Sequence, residues 1–306
     1  MNGFLNLNKP PGLTSHDVVA RVRRLVGRQV KVGHAGTLDP AAIGVLPVAL
    51  GKATRLIEYL ADVRKGYRAL VRLGVTTSTD DAEGEVLQEQ PAPLLDTSTL
   101  EAALAPLRGR ILQVPPMYSA LHCQGKRLYE LAREGRTIDR EPRPVTVYTL
   151  EIREPGEISE EFIRYGLQIQ TADVLSLLAL EVECSKGAYI RALARDLGIN
   201  LGCGAHLAAL ERTFVGSFTL EQSISLAMLE KDAAQLEQLL LPLETAVANW
   251  PVVTLDAEQS ERVRHGMALS SCGVAGDYVR AHGPDGALLA ILRRSGAEWR
   301  PEKVLA

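Results

Sequence analysis

Cysteine is scarce in this chain of 306 residues: Cys123, Cys184, Cys203 and Cys272 form no C-x-x-C pair. Neither they nor the six scattered histidines fall at a zinc-ligand spacing. The sequence therefore gives no reason to expect a structural metal or a disulfide framework, and reduced thiols in a cytoplasmic protein are the expectation. No apolar run approaches the ~18–20 residues of a membrane span. The opening segment 1–9 is too short and too polar for a signal peptide, so no membrane association is expected. Internal repeats and low-complexity tracts are missing as well. So is an overall excess of positive charge: the formal net charge is −3, which by itself argues against a strongly basic nucleic-acid binder.

The distribution of charge says more than its sum. Residues 1–72 carry twelve Lys and Arg against four Asp and Glu, and residues 108–146 carry eight against four. Acid is concentrated around 151–161 and 221–244. A neutral protein with one phosphate-tracking face needs this kind of polarity. Ordinary patchiness produces it too. With 46% apolar residues the chain can bury a sizeable core, and its length suits one large domain and a small one.

Along the chain, Phe4-Leu5-Asn6-Leu7-Asn8 alternates as a strand, and Lys9-Pro10-Pro11-Gly12 stops it. Thr14 or Ser15 caps a helix with Val18, Val19, Val22 and Leu25/Val26 inward and Arg21, Arg23, Arg24 and Arg28 outside. Gly33-His34-Ala35-Gly36-Thr37-Leu38-Asp39-Pro40 is a Gly/Pro-rich loop carrying one histidine and one carboxylate, anchored by the apolar run 41–50. Gly51-Lys52-Ala53-Thr54 is no phosphate loop, since Leu46 stands where the first glycine belongs and Ala53 follows the lysine. Residues 54–61 read as helix. Residues 67–87 read as a hairpin around the acidic pair Asp80-Asp81, and 98–107 as a short helix capped by Thr97 or Ser98. Val114-Pro115-Pro116-Met117-Tyr118-Ser119-Ala120 is a proline-braced loop, followed by a basic helix over 126–136. Strands are expected over 145–152 and 175–184. Tyr189 then opens a helix with Ile190, Leu193, Ala194 and Leu197 on its apolar side and Arg191 off it. Residues 226–248 read as acidic helix. From Trp250-Pro251 onward, short strands between glycines suggest a small all-β unit, with a boundary near 248.

At this point several blocks, in order over roughly residues 4–215, resemble one family, the TruB family of tRNA pseudouridine synthases. Gly33 to Pro40 with Gly44-Val45-Leu46-Pro47 resembles its catalytic signature, and Leu7-Asn8-Lys9-Pro10-Pro11-Gly12-Leu13-Thr14-Ser15 its N-terminal motif. Lys65-Gly66-Tyr67 resembles its tyrosine strand. Pro115 to Ala120 with Gly125-Lys126-Arg127-Leu128-Tyr129 resembles its RNA-gripping insertion. Ser185-Lys186-Gly187-Ala188-Tyr189-Ile190-Arg191 and Gly204-Ala205-His206-Leu207 resemble its last active-site blocks. The segment 250–306 resembles its PUA-like barrel in length and texture.

The resemblance implies an α+β pseudouridine synthase fold: a mixed, mostly antiparallel sheet flanked by helices, with a central cleft. It implies a catalytic domain over 1–247 with the insertion at about 109–150, and an RNA-binding PUA-like β-barrel over 248–306. It implies isomerisation of uridine 55 in the T-loop of tRNA, without cofactor or metal, by a monomer. Asp39 is then the nucleophile, acting on sugar or base, and Arg191 the cation that keeps it ionised. Tyr67 offers a face and a hydroxyl to the flipped uracil, which Tyr189 and Leu210 wall in. His34 wedges or stacks where the base leaves its loop, and Lys9, Lys52, Lys126 and Arg127 contact RNA. Taken singly, each residue has a plainer reading: an Asx turn for Asp39 before Pro40, a helix-surface arginine, core aromatics and a core leucine. Two other functions compete: a non-catalytic RNA-binding or tRNA-folding protein using the same surface, and a carbohydrate-active hydrolase. The hydrolase needs a second acid, for which the matched blocks offer only Asp80-Asp81.

Overall fold

The computed structural model describes residues 1–305 apart from 120–121, 124–125, 137, 154–161, 163–175 and 271–272. Its centre is a ten-stranded mixed sheet. In chain order the strands are β1 (Gly3–Lys9), β2 (Val32–His34), β3 (Ile43–Leu50), β4 (Lys65–Leu73), β5 (Gly109–Gln113), β6 (Arg143–Arg153), β7 (Leu177–Cys184), β8 (Ala205–Val215), β9 (Phe218–Thr219) and β10 (Ile224–Ser225). The hydrogen-bonded order is β10-β1-β3-β8-β4-β7-β6-β5, with β2 on β3 and β9 on β8. Within this sheet, among the described residues, only β1–β10 and β3–β8 pair in parallel. No helix among the described residues is long and apolar enough to cross a membrane.

β3 is the apolar run after the Asp39 loop, and every residue of it is buried, as expected of a strand covered on both faces. Pro47 within it has no N–H to give. It falls between the stretch that pairs with β8 (Ile43, Gly44) and the stretch that pairs with β2 (Val48 to Leu50), where that donor is not missed. Gly44 has φ +102°, and a Cβ there would lie 2.3 Å from the Arg212 carbonyl oxygen, so the parallel contact with β8 needs glycine. β3 is thus a rigid floor pinned to its neighbour immediately after the loop.

Helix Ser15–Val26 begins with a capping box between Thr14 and Asp17 and buries Val18, Val19 and Val22. Helix Ile190–Asn200 buries Ile190, Leu193, Ala194 and Leu197, each gaining roughly 1–3 kcal/mol for the larger side chains, and packs on β8 and β4. Gln113 fixes where that helix starts. Its buried amide donates to the Tyr189 carbonyl and accepts from the Tyr189 N–H, at 3.1 and 2.8 Å.

Several local expectations change. β4 does not form the hairpin read over 67–87: it pairs with β7 and β8, and after Gly74 the chain makes a smaller ribbon, Val75–Thr77 against Val86–Glu89. β4 is hydrogen-bonded along one edge to β7 and along the other to β8, which leaves no edge for a hairpin partner. Asp96 caps helix Thr97–Leu104, its carboxylate accepting from the Thr99 N–H. Residues 226–248 hold one short helix, Leu226–Lys231, and two 3-10 turns.

The C-terminal β unit has the strands Val252–Thr254, Leu269–Ser270, Tyr278–His282, Leu288–Ser295 and Glu298–Val304, spatially ordered first-third-fourth-fifth-second, with helix Ala257–Arg264. Its own core includes Val279, Leu292 and Trp299. It docks through Tyr278, stacked on Trp250 at 4.8 Å, with Tyr59 edge-on to both, and Lys303 meets Glu58 at 2.8 Å.

Candidate active site

The loop between β2 and β3 is held from three directions by groups that face inward. Lys9 is fully buried, and its ammonium donates to the carbonyls of Pro10, Leu13 and Pro40, at 3.0, 2.7 and 3.0 Å. This corrects the expectation that Lys9 contacts RNA: no charge is left facing solvent, and the lysine ties the N-terminal motif to the residue after Asp39. Burial lowers its pKa to about 8. Ser15 Oγ accepts the Leu38 N–H at 2.9 Å. Arg212, also fully buried, donates from Nε to the Val45 carbonyl at 2.7 Å and from Nη2 to that of Gly36 at 3.1 Å.

Asp39 emerges from this frame onto a cavity of about 320 Å³, within the ~300–1,000 Å³ range of small-molecule sites. Ala41, Ala42, Ile43, Phe162, Leu207 and Leu210 give it apolar walls, and Arg191, Asp81 and Glu83 lie at its edge. Asp39 Oδ2 lies 3.1 Å from Arg191 Nη2. The carboxyl keeps 43% side-chain exposure through the cavity mouth. The protein around it nevertheless displaces enough water to push its pKa up; Asp81 adds to that, while Arg191 and Lys9 oppose it.

Arg191 is not the surface residue that its place off the apolar helix side suggested. Its side chain is 8% exposed, and its fork is fully used. Nη1 meets Asp81 Oδ2 at 3.0 Å and the Thr79 carbonyl at 3.3 Å, while Nη2 also donates to the Tyr118 carbonyl at 2.8 Å. One guanidinium thus bridges two carboxylates, a planar geometry lysine could not reproduce. In the sequence Asp81 stands out only as half of an acidic turn pair and as the second acid a hydrolase would need, not as a partner of Arg191. The available signal was the pair Asp80-Asp81 together with two arginines four apart, Arg191 and Arg195, on one helix.

The other expected residues fall around this centre. Leu210 lines the cavity. Tyr67 and Tyr189 are not among its lining residues. Tyr67 sits in the core beneath, opposite Arg212 in the β4–β8 register, with its phenol pushed up to about 12 by burial and opposed by the Arg212 charge. Tyr189 precedes helix Ile190–Asn200, and burial raises its pKa too. His34 ends β2, half-buried and edge-on to His16 at 5.2 Å; burial, then the His16 charge, lowers its pKa. Lys52 is exposed, while the side chains of Lys126, Arg127 and Tyr129 lie outside the described residues.

Comparison with known proteins covers the whole chain. Residues 23–190 match the model of the TruB family pseudouridylate synthase N-terminal domain, 191–248 that of the tRNA pseudouridylate synthase B C-terminal domain, and 250–306 that of the tRNA pseudouridine synthase II C-terminus. The tRNA pseudouridine synthase B of Thermobifida fusca is 45% identical over 100% of this chain and 99% of its own length. That of Streptococcus pneumoniae serotype 4 is 40% identical over 100% of both. A solved H/ACA RNP bound to a substrate RNA containing 2'-deoxyuridine contains a chain 26% identical, matching 99% of this chain and 85% of its own with a TM-score of 0.71. The chain belongs to the TruB family of pseudouridylate synthases.

Proposed function

We propose that this protein isomerises uridine 55 in the T-loop of tRNA to pseudouridine, with Asp39 as nucleophile. The observation that carries the reading is the Asp39–Arg191 pair at the mouth of an apolar cavity. The reaction breaks the N1–C1′ bond of uridine, turns the uracil and joins C5 to C1′, while a proton leaves C5 and one is gained at N1. Atoms balance without any co-reactant. Asp39 attacks sugar or base and is released again when the new bond closes. Arg191 supports the ionised carboxylate against the desolvation that disfavours it.

Taking the base out of its loop costs a few kcal/mol. Leu210 and the other apolar walls recover part of that by burying the ring, and His34 stands near the loop where the RNA would part. Tyr67 presents a neutral hydroxyl from below, fit to give or share a proton rather than to carry charge. Exposed Lys52, with Lys126 and Arg127 of the insertion, contacts the phosphates. The catalytic part spans 1–247 and the PUA-like part 248–306, acting together as a monomer on the T arm, in the cytoplasm.

A hydrolase reading is disfavoured by the state of the second carboxylate. Asp81 accepts from Arg191, from the Thr79 hydroxyl and from the Glu83 N–H, and Asp80 accepts from Arg195, so both carboxylates that reading offers are engaged within the protein. Incubation with a T-arm stem-loop transcript, followed by mapping of pseudouridine, tests the proposal. Pseudouridine at the position equivalent to 55 supports it; unmodified RNA or released uracil overturns it.

A further inference from the structure

Helix Ile190–Asn200 places two arginines one turn apart, and both make the same pair of connections. Arg191 reaches Asp81 with Nη1 and the Tyr118 carbonyl with Nη2, at 3.0 and 2.8 Å. Arg195 reaches Asp80 with Nη1 and the Val114 carbonyl with Nη2, both at 3.0 Å. Each guanidinium therefore joins the turn containing Asp80-Asp81 to the loop at the root of the insertion. Arg140 fastens that loop from the other side, donating to the Pro115 carbonyl at 3.0 Å.

Asp80 has φ +62°, the one positive value outside glycine among the described residues. Holding a non-glycine residue there costs ~1–2 kcal/mol. The left-handed residue lets two successive carboxylates reach the same helix instead of pointing to opposite sides, as they would in extended chain. The Asp80 carbonyl also accepts the Leu207 N–H at 3.0 Å, which fixes the turn to β8 and the cavity wall. Arg195 is not among the cavity's lining residues, yet its side chain is only 21% exposed and engaged three ways, since Asp196 Oδ1 also accepts from its Nε at 3.0 Å and lies 2.9 Å from its Nη2.

We propose that Asp80 and Arg195 are a positioning pair for the pseudouridylation reaction. They hold the turn and the insertion root as one unit, so that RNA gripped by the insertion delivers its uridine at a fixed distance from Asp39. The pair acts through Arg191, which shares the turn and the loop with it. This inference rests on the function proposed above.

The test compares wild type, Arg195→Gln, Arg195→Lys, Asp80→Asn and the double variant Asp80→Asn/Arg195→Gln. Single-turnover pseudouridine formation at saturating T-arm stem-loop and the Kd for the same RNA are measured for each. Misplacement of a reacting group by about an ångström costs up to ~100-fold, so Arg195→Gln and Asp80→Asn are each expected to slow the step about tenfold or more. Kd is expected to change by less than about threefold, since positioning lowers turnover and not affinity. The double variant is expected to be no slower than the worse single one, and Arg195→Lys, keeping the charge but not the fork, to lie between. Rates equal to wild type, fully additive losses, or equal losses in rate and affinity overturn the positioning role. If Arg195→Gln does not fold, Asp80→Asn and Arg195→Lys carry the same comparison. Wild type inactive on this RNA would instead overturn the function itself, so the two failures are distinct.

Discussion

Asp39 Oδ2 stands 3.1 Å from one arm of the Arg191 guanidinium, and Asp81 Oδ2 stands 3.0 Å from the other. A single buried cation therefore serves two carboxylates of different standing: Asp81 orients it, and Asp39, open to the cavity, is steadied by it. Arg191→Ala is expected to reduce single-turnover pseudouridine formation by ~100–1,000-fold, the usual loss for one preorganised charge-stabilising group. Binding of a T-arm stem-loop should weaken far less, because Arg191 is buried at the cavity and is not part of the open surface. Arg191→Lys keeps the charge and should fall between the two. Filter binding alongside single-turnover assays checks this split; matching losses in rate and affinity would assign Arg191 to RNA capture.

The raised pKa of Asp39 sets the direction of two pH effects. Its ordinary value is 3.8, and burial, then Asp81, moves it upward against Arg191 and Lys9. The acidic limb of the rate profile is therefore expected above the ordinary carboxylate value, and Asp81→Asn, by removing a like charge, should shift that limb to lower pH. For stability, a carboxyl raised on folding favours the fold below its unfolded pKa and loses that benefit as pH climbs through the folded value. Asp39→Asn should thus melt at least as high as wild type at pH 7, by up to a few degrees, with the gap closing near pH 4. Thermal melts at the two pH values read this directly.

Lys9 and Lys52 separate a buried lysine from a solvent-facing one. Lys9→Met removes the donor to three carbonyls and is expected to cost about 1–3 kcal/mol of stability. It should leave the slope of log K against log salt for tRNA binding unchanged. Lys52→Ala should leave the melting temperature alone and reduce that slope by about 0.7–0.9, the effect of one lost phosphate contact. Because the Lys9 pKa falls from 10.5 to about 8 on folding, the unfolded chain binds more protons between those values. Wild-type stability should gain from this group as pH rises through that window, and Lys9→Met should lack the gain. Chemical denaturation at pH 7.5 and pH 10 compares the two.

Local patterns in the chain are legible as structure, but the burial of its charges is not. The alternating stretches at 4–8 and 145–152 are legible as strands, and a cap at Thr14 or Ser15 as a helix start, because these depend on neighbours in sequence, whereas the apolar run 41–50 shows only that it is buried and not that it is the strand Ile43–Leu50. Asp39, Arg191 and Leu210 were reachable as a group through the family's ordered blocks. Lys9, which the resemblance assigned to RNA, is buried instead because the Pro40 carbonyl, thirty-one residues away, turns to meet it. The partners of Asp81 and Arg195 are hidden in the sequence for the same reason: they lie more than a hundred residues away, and only the fold sets Asp80-Asp81 against helix Ile190–Asn200. The hairpin expected over 67–87 failed because β4 is claimed by two distant strands, a competition no local pattern displays.

Replacement of one oxygen of Asp39 by nitrogen bears most directly on the central claim. Asp39→Asn keeps the volume and the loop but cannot act as nucleophile. With a T-arm stem-loop transcript it is expected to bind with near wild-type affinity and to form no pseudouridine. Pseudouridine formed by Asp39→Asn at a rate within about tenfold of wild type would place the chemistry on another group, since losing a nucleophile outright typically costs far more.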